Sequence, residues 1–253
     1  MRSLLSLALA AAVGVFAAGA APASEGPAIP KRTWSWDGVF GQYDVKQLQR
    51  GFLVFKDVCS NCHAMKLVAY RNLTALGLSE DAIKKIAAEK EVMDGPNDAG
   101  DMFKRPARLS DRIVPPFPND NAARSANNGA LPPDLSLMAK ARKGGPDYIH
   151  ALMMGYKDPP KDVTVADGMN YNTAFPGNQI AMPPQMQDDL VTYADGTKAT
   201  ADQIAQDIAA FLNWAAEPEL NERKSLGLKT MIFLVVLTAM LYALKRKIWA
   251  DLH

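Results

Sequence analysis

The chain has 253 residues, 48% of them hydrophobic and 22% charged, a composition that excludes a low-complexity or disordered protein. Its net charge of +1 hides a division: positions 24–222 hold 26 acidic against 21 basic residues, whereas 223–253 hold six basic against one acidic. An acidic body makes nucleic acid an unexpected partner. The two cysteines stand three apart, so no disulfide scaffold supports the fold.

In chain order, the first element is a secretory signal over residues 1–23. It has basic Arg2, an apolar run over 4–18, and the small-x-small site Ala21-Pro22-Ala23. The body, 24–222, is expected to be exported. Asp44-Val45-Lys46-Gln47 reads as an N-cap with a capping-box partner opening a helix through Asp57. Its apolar positions Leu48, Phe52 and Phe55 recur at helical spacing, with Gly51 beside them. A second helix is expected over 79–90, with Ala82, Ile83, Ile86 and Ala87 on one face. Residues 93–133, rich in Pro, Gly, Asn and Asp, read as ordered irregular loop.

Short helices are expected over 135–142 and 146–154, then loop over 158–184 and one short strand pair near 191–193. Thr200-Ala201-Asp202-Gln203 is a second capping box; its helix carries Ile204, Ile208, Phe211, Leu212 and Ala215 and stops before Pro218. The last unit, 223–253, is an anchor whose hydrophobic span covers 226–244 with Lys229 as its one charge. At ~1.5 Å per residue that span nearly crosses a ~30 Å hydrocarbon core. Lys245, Arg246 and Lys247 follow, then Trp249 at interfacial position, which favours a cytoplasmic C-terminus. The class is all-α with long irregular loops, plus one C-terminal transmembrane helix.

The chemistry lies in Cys59-Ser60-Asn61-Cys62-His63, the spacing of c-type haem attachment. Two thiols on one helical turn can each bond a haem vinyl group, and the following histidine then stands beneath the iron. His63 should donate its other ring N–H to a backbone carbonyl, which fixes the tautomer. A thioredoxin-like pair would need a strand before the motif, where a helix is expected. A zinc site would need four ligands, and beyond the motif only His150 and His253 remain. For a second axial ligand the chain offers Met182, Met186 and His150. Both methionines lie in a loop stiffened by Pro183 and Pro184, whereas His150 sits in a helical pattern beside Ile149. A His/Met pair leaves no open iron position, which argues against oxygenase or peroxidase chemistry.

With these residues in view, the chain resembles the cytochrome c1 family, the haem-bearing subunits of quinol–cytochrome c reductase (the bc1 complex). The resemblance runs through Trp34-Ser-Trp-Asp-Gly-Val-Phe40, Val58-Cys-Ser-Asn-Cys-His63, Val68-Ala-Tyr-Arg71 and Asp94-Gly-Pro-Asn97. It continues through Ala126-Asn-Asn-Gly-Ala-Leu-Pro-Pro-Asp-Leu135, Ala141-Arg-Lys-Gly-Gly-Pro-Asp-Tyr148, Tyr171-Asn172, Phe175-Pro-Gly177 and Trp214-Ala-Ala-Glu-Pro218. It implies a class I cytochrome c-like domain with one haem c on Cys59 and Cys62, ligated by His63 and Met182. It further implies that Arg142 and Tyr148 approach a propionate while Asn127 and Pro133 line the pocket. The implied partners are cytochrome b, a Rieske iron–sulfur protein as donor and a c-type cytochrome as acceptor, in a dimeric complex. The implied location is a bacterial inner membrane with the haem domain in the periplasm. Some relatives carry a further cysteine pair that this chain lacks. A free-standing tethered electron shuttle is the alternative reading.

Overall fold

The computed structural model describes residues 27–250, so the signal assigned to 1–23 lies outside the described residues. The first helix, α1 (Val45–Asp57), starts where expected because the Asp44 carboxylate accepts from the backbone N–H groups of Lys46 and Gln47. Short 3₁₀ segments follow at Cys59–Asn61 and Tyr70–Leu76, then α2 (Glu80–Ala88), capped by Ser79. Thr200 caps α6 (Ala201–Ala216) through Gln203 N–H. Neither capping box is reciprocal in the bonds formed: the Gln203 amide turns instead to Asp207 Oδ1 at 2.9 Å.

The core is the crossing of α1 and α6. Phe52 and Phe55 meet Phe211 at centroid distances of 5.7 and 5.6 Å, and Trp214 stacks on Phe211 at 5.6 Å. Burying each such side chain contributes roughly 1.5–3 kcal/mol. The approach is close because Gly51 faces α6: a Cβ there would stand 2.1 Å from the Asp207 carbonyl oxygen. Beside it, Arg50 reaches the fully buried Asp207 carboxylate at 2.9 and 3.2 Å and Asp195 at 2.8 Å. α5 (Gly145–Met154) packs on α6 from another side, preceded by the short α4 (Met138–Ala141).

Several expectations are corrected. The 93–133 stretch is not all loop. Strands β1 (Glu91–Asp94) and β2 (Phe103–Pro106) pair antiparallel, with Glu91 opposite Pro106, and α3 (Asp120–Ala126) follows, capped by Asn119. The hairpin is fastened by Arg105, which bridges Asp94 and Asp111, an ion-pair device that hydrophobic alternation does not reveal. The helix expected over 135–142 shrinks to α4, because Asp134 and Ser136 side chains bind backbone at 66–67 instead. No strand forms near Val191 and Tyr193, whose side chains are buried in irregular chain. The second strand pair is β3 (Asn170–Tyr171) with β4 (Gln179–Ile180), inside the segment expected to be loop.

The anchor, α7 (Leu220–Ile248), is 29 residues long and contains the whole expected span; it begins three residues before the expected boundary. At ~1.5 Å per residue it exceeds a hydrocarbon core in length. Its apolar side chains, including Phe233, Val235 and Leu241, are exposed.

Asp207 supplies a stability prediction. Replacing Arg50 with alanine leaves a buried carboxylate without its cation and should cost about 3–5 kcal/mol. Chemical denaturation should show that loss, and a variant as stable as the parent would remove the ion pair from the account of the crossing.

Candidate functional site

The α1 helix runs out at Asp57, and Val58 N–H still reaches the Val54 carbonyl. The chain then tightens so that the N–H groups of Cys62 and His63 both bond the Cys59 carbonyl, at 3.1 and 2.9 Å. Both cysteines are free thiols, Cys59 half-buried and Cys62 exposed. Burial, with Cys62 adding to it, pushes the Cys59 thiol up to about 12. A redox-active Cys-x-x-Cys needs the opposite shift, toward thiolate, so the thioredoxin-like reading is disfavoured.

His63 Nδ1 lies 2.8 Å from the Pro133 carbonyl oxygen. A carbonyl can only accept, so Nδ1 carries the proton and Nε2 presents its lone pair. Burial holds the imidazole below its ordinary value, against the opposing pull of the Pro133 carbonyl and Asp134. The Pro133 carbonyl is itself held in place by a strap. Leu135 N–H bonds the Ala64 carbonyl (2.8 Å), Lys66 N–H bonds Asp134 (2.9 Å), and Leu67 N–H bonds Ser136 Oγ (3.0 Å). Pro133, expected to line a pocket, is thus the acceptor that orients His63.

Farther along the chain, Met182 follows β4 by two residues. Its carbonyl accepts from the Tyr156 hydroxyl at 2.9 Å and from Asn170 Nδ2 at 3.3 Å. Burial, with Tyr148 adding to it, raises the Tyr156 pKa, so this hydroxyl remains a donor. Asn172, completely buried, braces the same loop by donating to the Leu152 carbonyl and accepting from Ala174 and Phe175 N–H. Met186 instead packs on the core and lines an open groove with Met153, Tyr156 and Met169.

The other expected residues separate into two groups. Tyr148 is buried beside Arg142, which opposes the upward push of burial on the phenol, so these two stand together. Asn127 is the α3 C-cap, and its side chain donates to the Ala123 carbonyl at 2.7 Å within its own helix. His150 is buried with Nε2 2.8 Å from Asp202, in a cluster with Arg32, which makes it a packed histidine. Tyr156, Asn170 and Asn172 lie outside the residues that the sequence marks for the site. The sequence marks them only as the polar residues of Gly155-Tyr156 and Asn170-Tyr171-Asn172, which flank the charged loop over 157–167.

A helical domain with a Cys-x-x-Cys-His turn at the end of its first helix, carried on one apolar C-terminal helix, defines a membrane-anchored protein of the c-type cytochrome class. A sequence model of the Cytochrome C1 family matches residues 34–252. The cytochrome c1 of Rhodospirillum rubrum is 57% identical, covering 99% of this chain and 97% of that protein. A mitochondrial cytochrome c1 heme protein of Arabidopsis thaliana is 48% identical over 93% of this chain and 76% of its own length. A Bradyrhizobium diazoefficiens protein named cytochrome b/c1 is 43% identical, with 88% of this chain covering 36% of it. The chain belongs to the cytochrome c1 family. It is a haem-bearing electron-transfer subunit of the bc1 complex, and the free-standing shuttle is not favoured.

The His150 cluster predicts a pH effect. Burial and nearby Arg32 hold His150 below 6.5, against the pull of Asp202 and Asp147. The fold therefore prefers the neutral ring, and the unfolded chain takes up the proton first. This contribution is intact above about pH 6.5 and is lost as pH falls from there toward the folded value. Between pH 7 and 5 the thermal midpoint should drop less in His150→Gln than in the parent, a comparison in which any His63 contribution cancels. Equal drops would refute the role.

Proposed function

We propose that Cys59 and Cys62 hold haem c through thioether bonds, with His63 Nε2 and the Met182 sulfur as axial ligands. The observation that carries this is the 2.8 Å contact of His63 Nδ1 with the Pro133 carbonyl, one residue past a pair of free thiols. The donor set fits the group: two thiols, one imidazole nitrogen left available, and a thioether on a backbone fixed by Tyr156 and Asn170. When bound, haem c supplies a one-electron iron couple. The chain's own residues set its surroundings. His63 is oriented through Pro133, Met182 is held by its carbonyl, and Arg142 with Tyr148 forms a donor pair suited to a propionate. Pro133 also lines the pocket, with Asn127 at its α3 edge.

In the assembled complex this chain takes an electron from a Rieske iron–sulfur protein and passes it to a c-type cytochrome. Cytochrome b is its membrane neighbour, a reading supported by the Bradyrhizobium relative whose name joins b and c1. The complex is dimeric. The signal over 1–23 exports the 24–222 domain to the periplasm of a bacterial inner membrane, and the 223–253 unit leaves its C-terminus in the cytoplasm, as the basic cluster after the span supports.

Acid–acetone treatment of denatured protein should leave the haem on the chain, and quantitative release would overturn the thioether assignment. Met182→Leu should lower the reduction potential and abolish the near-infrared band of Fe(III)–thioether ligation, while Met186→Leu keeps it. The reverse pattern would transfer the ligand role to Met186.

Charge bears on the acceptor. Between Glu80 and Asp101, Glu80 and Asp81 share Lys84, Glu91 faces Lys104 and Asp94 faces Arg105, whereas Glu89, Asp98 and Asp101 make no ion pair among the described residues. With an excess of five acidic residues over 24–222, a basic acceptor should still be steered. The electron-transfer rate to a basic cytochrome c should fall steeply as ionic strength rises to physiological, where screening shortens to ~8 Å. A flat rate would exclude steering.

A further inference from the structure

The turn over residues 37–41 is built unlike any other surface loop in the head. Val39 is 67% exposed and Phe40 79%, above every other large apolar side chain outside α7 among the described residues. Two glycines force them outward. Gly38 takes φ +69°, and at Gly41 a Cβ would fall 2.1 Å from the Asp37 carbonyl oxygen. Stacked Trp34 and Trp36, at 4.9 Å, form a rigid base beneath the turn, with Tyr43 against Trp36 at 5.1 Å.

The turn is fastened to the first part of the anchor. Lys224 Nζ donates to the carbonyls of Trp36, Gly38 (2.6 Å) and Gly41 (3.2 Å), and Tyr43 N–H bonds Asn221 Oδ1 at 3.1 Å. Inside the turn, Trp34 N–H reaches the Asp37 carboxylate (2.8 Å), Asp37 N–H the Trp34 carbonyl (3.0 Å) and Gln42 N–H the Ser35 carbonyl (3.1 Å). The N–H groups of Gly38, Val39, Phe40 and Gly41 keep no partner within the described residues, so the turn belongs where water and headgroup oxygens still reach its backbone rather than in the hydrocarbon itself. All three donor sites of the Lys224 ammonium are used, so this charge does not have to be hydrated.

Height along the helix decides the occupant. Lys224 precedes Leu226, the first apolar residue of the span, by two positions, about 3 Å along the axis. The headgroup layer on each side of a bilayer is about 5–7 Å thick. A turn fixed beside Lys224 lies within that layer, with its two apolar side chains at the tip. We propose that Val39 and Phe40 insert into the headgroup–acyl boundary of the membrane that α7 crosses, giving the head a second, lipid-facing contact. The proposal rests on α7 spanning a membrane. Asp37, at the turn's polar shoulder, remains at headgroup level while the tip is apolar. The consequence is orientational: a single helix lets head and helix tilt together in the bilayer, whereas a helix plus a wedge fixes two points of the unit against one surface.

The test uses the complete, haem-loaded chain in its assembled complex in lipid nanodiscs. Nitroxide labels are introduced singly through Phe40→Cys, Leu234→Cys and Asp98→Cys, with the parent carried through the same labelling as background. Collision with lipid-soluble oxygen and with a water-soluble nickel chelate is then measured. The Phe40 label should show an oxygen-to-nickel ratio several-fold above that of Asp98, in the direction of Leu234. A Phe40 ratio equal to that of Asp98 would overturn the proposal. So would a Phe40 label shielded from both reagents, which would assign the tip to a neighbouring subunit. If Leu234 itself reported water, the spanning helix would be the reading that fails.

Discussion

Everything else in the head is positioned by the crossing of α1 over α6 at Gly51. The missing side chain lets the two backbones approach, and the adjacent Arg50 uses that approach to neutralise a carboxylate, Asp207, that has no access to water. Removing both charges from water is expensive, and the pair returns that cost only through the fork of contacts to Asp207, the added Asp195 and the Gln203 amide. Its main consequence is register. Sliding α1 by one residue would drive a Cβ into the Asp207 carbonyl and strand the carboxylate together. Because the Cys-x-x-Cys-His turn begins one residue after the α1 C-cap, fixing α1 fixes the site.

From that fixed point the site is assembled by loops, which must be made rigid by other means than helical hydrogen bonding. The chain does this with side chains that bond backbone across long separations. Asp134 and Ser136 hold the strand of chain carrying the Pro133 carbonyl against 64–67, and Tyr156, Asn170 and Asn172 hold the Met182 segment. In each case a side chain acts through backbone: the His63 ring is steered by the Pro133 carbonyl, and the Met182 segment is held at its own carbonyl. Such bracing makes the loops rigid at these points, which an electron-transfer subunit requires more than it requires any acid or base.

These relations explain what could be read from the sequence. The Cys-x-x-Cys-His motif, the caps Asp44 and Thr200, the start of the second helix at Ser79, the aromatic stripe of α1 and the anchor are local patterns whose physics operates within a few residues. The β1–β2 hairpin was hidden because its four-residue strands lack alternation and are held by Arg105 to Asp94 and Asp111. α3 was hidden because one buried residue, Ala123, gives no hydrophobic period. The expected pairing near Val191 and Tyr193 misjudged burial as strand: Tyr193 is buried beneath the Arg50 guanidinium, 5.7 Å from its ring centre, not in a sheet. The expected partner for His63 was legible as a chemical need, a carbonyl, but its identity as Pro133 required the fold, since 70 residues separate them.

The junction between head and anchor extends the same logic to the membrane. α6 ends at Ala216, two residues before Pro218, and α7 begins two residues after it, a break of the kind at which chains hinge. It is closed from both sides: Tyr43 takes the Asn213 amide and donates to the Glu217 carbonyl, while Arg223 grips Glu217 at 2.5 and 2.7 Å. Lys224 then binds the 36–41 turn of the N-terminal segment. The contacts on both sides of Pro218 therefore involve the segment that leads into α1, and α1 leads into the Cys-x-x-Cys-His turn. Tilting the head relative to the helix would break bonds to carbonyls that the turn cannot replace internally. A head so joined keeps its site at a fixed distance from the membrane plane, and any diffusing or mobile partner must bring its own redox centre to that height.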